Sequence, residues 1–93
     1  MKISYAIPVC DELDEIQNLT SYLLKHKSQS DEIVILVDES NYTQEVKDYV
    51  ELFAEENIDN NVIRAYHSLN KDFATHKNYL NSLCSGEWIL QLD

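Results

Sequence analysis

The sequence predicts an α/β fold, a βαβαβαβ chain that forms an open, mostly parallel sheet with helices on both faces. Three observations carry this expectation: four short β-prone runs, three stretches with helical spacing, and strict alternation between the two. Alternation of this kind favours parallel strands joined by right-handed crossovers, because the helix of each crossover must pack back on the sheet.

Ile3 to Val9 is the first apolar run, with Pro8 near its end, and Glu32 to Val37 (EIVILV) is a continuous β-branched run of the type buried on both faces of a parallel sheet. Val62 to Tyr66 and Trp88 to Leu92 supply two more. Between the first two, Leu13, Ile16, Leu19 and Leu23 step by helical intervals and form one apolar stripe, with Asp11 and Asp14 as candidate N-caps. Val46, Tyr49, Val50 and Phe53 form a second stripe, preceded by Asn41 and Gln44 at capping-box spacing. The third helix is expected from Asp72, a good N-cap, to Cys84, with Gly86 placed as its C-terminal cap.

At 93 residues the chain is one domain at most. Its 7 basic and 17 acidic residues give a net charge of −10, which argues against nucleic-acid or anionic-membrane binding, since both need clustered Lys and Arg. The longest aliphatic run, Ile33 to Val37, is far shorter than the roughly 20 residues that span a bilayer. The N-terminus lacks a signal-peptide apolar region, so a cytoplasmic location is the expectation. Cys10 and Cys84 are far apart with no CxxC spacing, so neither a zinc site nor a disulfide framework is indicated, and both read as small buried hydrophobes. The chain stops at Gln91-Leu92-Asp93, in or just after a buried-type strand, and truncation is expected there.

In open α/β sheets ligands bind beyond the carboxyl ends of the strands, so the residues just after each run matter most. These are Pro8-Val9-Cys10-Asp11-Glu12, then Asp38-Glu39-Ser40-Asn41, then His67 to Asp72, then Asp93. Carboxylates stand at three of the four ends. Asp and Glu also favour loops and helix starts for their capping value, so each alone has a structural explanation, and convergence is what suggests a site. In the third helix, His76 and Lys77 occupy apolar-stripe positions with Phe73, Leu80 and Leu83/Cys84, which is expected to turn a basic pair toward the same crevice. The structural alternatives are a Lys77 stem lying along the sheet with its ammonium in water, and a half-buried, hydrogen-bonded His76 ring.

With Gly86 the single glycine, neither GxGxxG nor GxxxxGK[ST] is present, which excludes a Rossmann dinucleotide site and a P-loop. Phosphate charge would have to be met by a cation held by carboxylates, or by Lys77 and helix N-termini.

Three segments carry a resemblance. ISYAIPVCDELDEIQNL resembles an opening strand and acidic turn written I-P-x-x-N-E; DEIVILVDESNYT resembles a second strand ending in V-D-x-x-S/T; DFATHKNYLNSLCSGEWILQLD resembles D-F-A-x-x-R-N…A-x-G-x-W-I-L-x-L-D. Together they resemble the N-terminal, nucleotide-sugar-binding half of family 2 glycosyltransferases of the GT-A fold, similar to those that build bacterial lipopolysaccharide core and surface polysaccharide. The resemblance covers the whole chain and implies a single N-terminal part of a glycosyltransferase-like domain, residues 1–93, ending at the D-x-D motif.

By that resemblance, Pro8, Val9 and Glu12 would line the base and ribose pocket, Asp38 would sit near the base, and Lys77 would take the family's basic position. Asp93 would be the first Asp of D-x-D, a motif whose last Asp is the family's main metal ligand, so that Asp93 is a candidate metal ligand through that motif. The implied ligands are a nucleotide-diphosphate sugar, a UDP-sugar in the favoured case, and a divalent cation, Mg²⁺ or Mn²⁺, in the full-length protein. The implied reaction is inverting transfer to an acceptor hydroxyl on a glycan or lipid, with no catalytic residue within this chain. Departures from the family pattern are Asp11 where Asn is usual, Glu39 where Asp or Ser/Gly is common, Asn41-Tyr42 in a loop often rich in Gly and Ser, and Lys77 where Arg is usual. The rival is a non-catalytic flavodoxin-like, receiver-like or scaffolding module, which acidic strand ends and an inward Lys would also suit.

Overall fold

The structure, a computed structural model, describes residues 1–92. Its elements run β1 (Ile3–Val9), α1 (Leu13–His26), β2 (Glu32–Asp38), α2 (Gln44–Glu56), a 3-10 turn at Ile58–Asn60, β3 (Val62–His67), α3 (Phe73–Leu83) and β4 (Trp88–Gln91). The strands form one sheet in the order β3-β2-β1-β4, and every pairing is parallel. This is the α/β class expected from the sequence. The flavodoxin-like alternative needs β1 between β2 and β3, whereas here β2 holds that middle position.

Every residue of β2 is buried, as its uninterrupted apolar run requires of a strand covered on both faces. Alternation splits the core. Ile7, Val9, Ile33, Ile35 and Val37 face α1 and α2 with Ile16, Leu23, Val46, Val50 and Phe53. Ala6, Val34 and Leu36 face α3 through Leu80. Each fully buried aliphatic side chain contributes roughly 1.5–3 kcal/mol, so β2 and its neighbour β1 anchor the sheet. Two crossovers put α1 and α2 on one face, and the third carries α3 back across the other face to β4. There the edge strand leaves Trp88 and Leu90 at least half exposed.

The amino-terminal end of the sheet is closed by a buried carboxylate. Glu32 Oε2 accepts from the Ser4 hydroxyl and from the Ser85 N–H, both at 2.6 Å, and Oε1 accepts from the Ser85 hydroxyl at 3.0 Å. Lys2 Nζ stands 3.6 Å away. Burial pushes the Glu32 carboxyl up, but the Ser4 and Ser85 hydrogen bonds and the Lys2 charge outweigh it and hold it below its ordinary 4.5. Among the described residues no buried side-chain N or O lacks a hydrogen-bond partner.

Several helix ends differ from expectation. Neither Asp11 nor Asp14 caps α1; Glu12 holds the N-cap position without a side-chain cap bond. Thr43, not Asn41, caps α2, its hydroxyl accepting from the Val46 N–H, because the helix starts at Gln44 and Asn41 is spent in the turn after β2. Asp72 does cap α3, accepting from the Thr75 N–H. Gly86 is not a helix cap: α3 ends at Cys84, and the Gly86 N–H donates to the Ser4 hydroxyl. A Cβ there would lie 2.6 Å from that hydroxyl and 2.8 Å from the Ser4 nitrogen, so glycine is required by close approach of two backbones. The cysteines are half-buried rather than buried.

Candidate functional site

The strand order reverses at β1, flanked by β2 on one side and β4 on the other, and such a switch point opens a crevice outside the carboxyl ends. A cleft of about 1130 Å³ lies there. The end of β1 forms its floor, the first turns of α1 and α3 form opposite walls, and Leu69 and Leu92 complete it. Pro8, Val9, Glu12, Asp38 and Lys77, from four separate elements, all line it. Asp93, the remaining candidate, lies outside the described residues. Asp11 is not part of the lining.

Pro8 and Val9 are opposite Leu36 and Val37 in the register with β2, and alternation sends them to opposite faces of the sheet at the cleft floor. Glu12 folds back on the strand end: its Oε2 accepts from the Cys10 N–H at 3.1 Å. The Cys10 thiol points at carboxylate oxygens of both Asp11 and Glu12, each 3.4 Å away. Burial, those two hydrogen bonds and the adjacent negative charges push the thiol up to about 12, which favours its protonated form near neutral pH.

Asp38 is only 4% exposed. Its Oδ1 accepts from the Ser40 hydroxyl at 2.6 Å, the Ser40 N–H at 3.0 Å and the Leu69 N–H at 3.0 Å. Burial raises its pKa, but these bonds outweigh it and hold the carboxyl below the usual 3.8. Asp38 therefore fastens the β3–α3 loop to the end of β2. In that loop Asn70 and Lys71 adopt positive φ, 47° and 63°. For a side chain such as lysine this region costs roughly 1–2 kcal/mol, strain of the kind held where surrounding contacts fix a loop.

The expected inward basic pair divides. His76 is buried at 5% exposure, whereas Lys77 is exposed while still lining the cleft, and Phe73 is 67% exposed at the cleft edge. The physical reason is position: the first turn of α3 projects beyond the sheet end, so Phe73 has no sheet beneath it, while Leu80 one turn past His76 is fully buried.

The sequence reading also missed a partner. His67, at the end of β3, brings its Nδ1 within 3.0 Å of His76 Nδ1, and its ring stacks on Tyr79 at 4.7 Å. The pairing of Asp38 with His67 across β2 and β3 fixes where that ring stands. The cleft lining thus carries three carboxylates, Glu12, Glu15 and Asp38, against Lys77 and His76, with walls otherwise largely apolar. The N-termini of α1 and α3 flank it, and the positive ends of their dipoles face it.

An open, all-parallel sheet of four strands flanked by three helices, with a cleft at its switch point, defines the chain as an α/β, Rossmann-like half domain without a glycine-rich loop. The chain belongs to glycosyl transferase family 2, whose profile matches residues 4–93. It is accordingly a domain of the glycosyltransferase kind. None of the curated proteins compared with it matches. Among the described residues no helix is long and apolar enough to cross a membrane.

Proposed function

We propose that the cleft binds the nucleoside diphosphate of a nucleotide-sugar donor, a UDP-sugar in the favoured case, for transfer to an acceptor hydroxyl on a glycan or lipid. One observation supports this most: residues from the end of β1, the start of α1, the end of β2 and the first turn of α3 line a single cleft large enough for such a ligand. In this reading Pro8 and Val9 form the floor for base and ribose, and Glu12 and Asp38 accept hydrogen bonds from base or ribose. Lys77 offsets diphosphate charge beside the N-terminus of α3.

A divalent cation, Mg²⁺ or Mn²⁺, would supply further neutralisation of the leaving diphosphate, and by resemblance it would be held through the D-x-D motif, mainly by that motif's last Asp, with Asp93, its first Asp and outside the described residues, as a candidate ligand. Among the described residues the one candidate cluster, Cys10 with Asp11 and Glu12, does not fit that role. It sets a soft sulfur beside two exposed carboxylates, where Mg²⁺ or Mn²⁺ takes oxygen ligands. No step is therefore routed through the cation. We assign binding and not turnover to the 93-residue chain, since by resemblance the residue that deprotonates the acceptor belongs to the family's second half. The inverting outcome is likewise the family's.

Calorimetric titration with uridine diphosphate, with and without Mg²⁺, tests the reading. Binding is expected, weakened about tenfold by Lys77→Ala through loss of a charge-assisted contact. No binding of uridine, guanosine, thymidine or adenosine diphosphate, or no effect of the substitution, would contradict it.

A further inference from the structure

The cleft wall contains a histidine pair to which the nucleotide contacts above assign no role. His76, buried one turn into α3, lines the cleft and turns Nδ1 toward His67 Nδ1 at 3.0 Å. The rings are tilted by 43° with centroids 5.2 Å apart, and the outer face of His67 is held by Tyr79. Two ring nitrogens at that distance form a hydrogen bond only when one carries the hydrogen and the other a lone pair. In the neutral pair the accepting ring bears its hydrogen on Nε2 and the donating ring has a bare Nε2. One added proton leaves the Nδ1–H···Nδ1 bond intact and places N–H on both Nε2 atoms. A second would put hydrogens on both Nδ1 atoms and break the contact. The geometry therefore admits one proton and resists two.

We propose that His67 and His76 work as a one-proton pair that gives the cleft a positive charge and an Nε2–H donor when the diphosphate of a nucleotide is bound. The proposal rests on the nucleotide reading above. His76 is the member that meets the ligand, with His67 as its positioning residue. The charged and titratable groups around the pair come from each neighbouring element: Asp38 from β2, Asp72, Lys77 and Tyr79 at or on α3, and Glu12 and Glu15 from α1 across the cleft. Without ligand, burial and then the His67 charge hold His76 below the ordinary 6.5, with Asp38 pulling the other way. A diphosphate entering a cleft with three carboxylates and one lysine adds negative charge, and a proton on the pair would add to the compensation that Lys77 gives. Among the described residues no third His, Cys or carboxylate joins the pair at metal-ligand distance.

Two measurements on the full chain test this. Long-range ¹H–¹⁵N spectra of the histidine rings without ligand, from pH 8 to 5, are expected to show one shared titration step for His67 and His76. Two independent steps would overturn the pairing alone. Calorimetry with uridine diphosphate at pH 6 to 8, in buffers of different ionisation enthalpy and corrected for protonation of free nucleotide, is expected to show uptake of about one proton. Affinity should rise by up to about tenfold per pH unit on acidification toward the pair's pKa. His67→Phe, which keeps the stack on Tyr79, should flatten that slope, and the wild-type proton count decides the matter should the variant not fold. Binding with no proton uptake would overturn the proposal and leave the nucleotide reading standing, whereas no nucleotide binding at any pH would overturn both.

Discussion

The two ends of β2 each bury a carboxylate, Glu32 at the amino end and Asp38 at the carboxyl end, 2% and 4% exposed. Both are held below their ordinary values by hydrogen bonds that outweigh burial. Their partners make the difference. Glu32 is enclosed by Ser4, Ser85 and Lys2, which draws the lead-in to β4 against β1 and β2. Asp38 is bonded to Ser40 and to the Leu69 amide, in the loops that border the cleft. A buried, ionised carboxylate is therefore not a mark of function in itself; of the two, Asp38 is the one that lines a cavity.

Substitutions should separate the two ends. Glu32→Ala is expected to cause the largest loss, about 3 kcal/mol of unfolding free energy in urea, because it strands the Ser4 hydroxyl and the Ser85 N–H in a closed site. Nucleotide affinity of the folded fraction should not change; a stability loss under 1 kcal/mol would mean the amino end is not locked as described. Gly86→Ala should follow, at about 2 kcal/mol, since its Cβ would meet Ser4 at 2.6 Å and force backbone movement. Equal stability of that variant by thermal melt would show that the β4 lead-in yields freely.

Acid offers a smaller and graded version of the first substitution. With its folded pKa below 4.5, Glu32 binds fewer protons in the folded than in the unfolded state. Its contribution is thus present above about 4.5 and is lost as pH falls through the folded value. The stability gap between wild type and Glu32→Ala should shrink between pH 5 and 3, and a gap that widens would reverse the sign argued here. The smallest effect belongs to the carboxyl end. Lys71→Gly removes the cost of a side chain at φ 63° and should raise stability by about 1 kcal/mol, read from the urea midpoint. A loss instead would mean that the Lys71 side chain makes contacts worth more than the strain.

The strands were legible because β2 is apolar without interruption and only a position covered on both faces tolerates that; their order along the chain followed from alternation. Pro8, Val9, Glu12, Asp38 and Lys77 come to line one cleft because the carboxyl ends of the strands and the helix starts beside them share one crevice by topology. Helix ends were less so. Asp11, Glu12, Asp14, Asn41 and Thr43 all suit an N-cap, and the choice depends on where tertiary packing starts the helix. Gly86 had two uses open to it, a turn and a close approach, and composition does not distinguish them. The Glu32 and Ser85 contact spans 53 residues of chain, and the His67 and His76 pair depends on β-sheet register plus the rotation of α3. Neither leaves a periodic trace.

The most direct test is an amide NMR titration of the 93-residue chain with uridine diphosphate, with and without Mg²⁺, read at both ends of β2 in one experiment. Shifts are expected at Val9 to Glu12, Asp38 to Asn41, Leu69 and Lys77, with Lys2 to Ser4, Glu32 and Ser85 to Glu87 unmoved. Shifts concentrated at the amino end, or none at either end with any nucleoside diphosphate, would contradict the assignment of the cleft as the donor site.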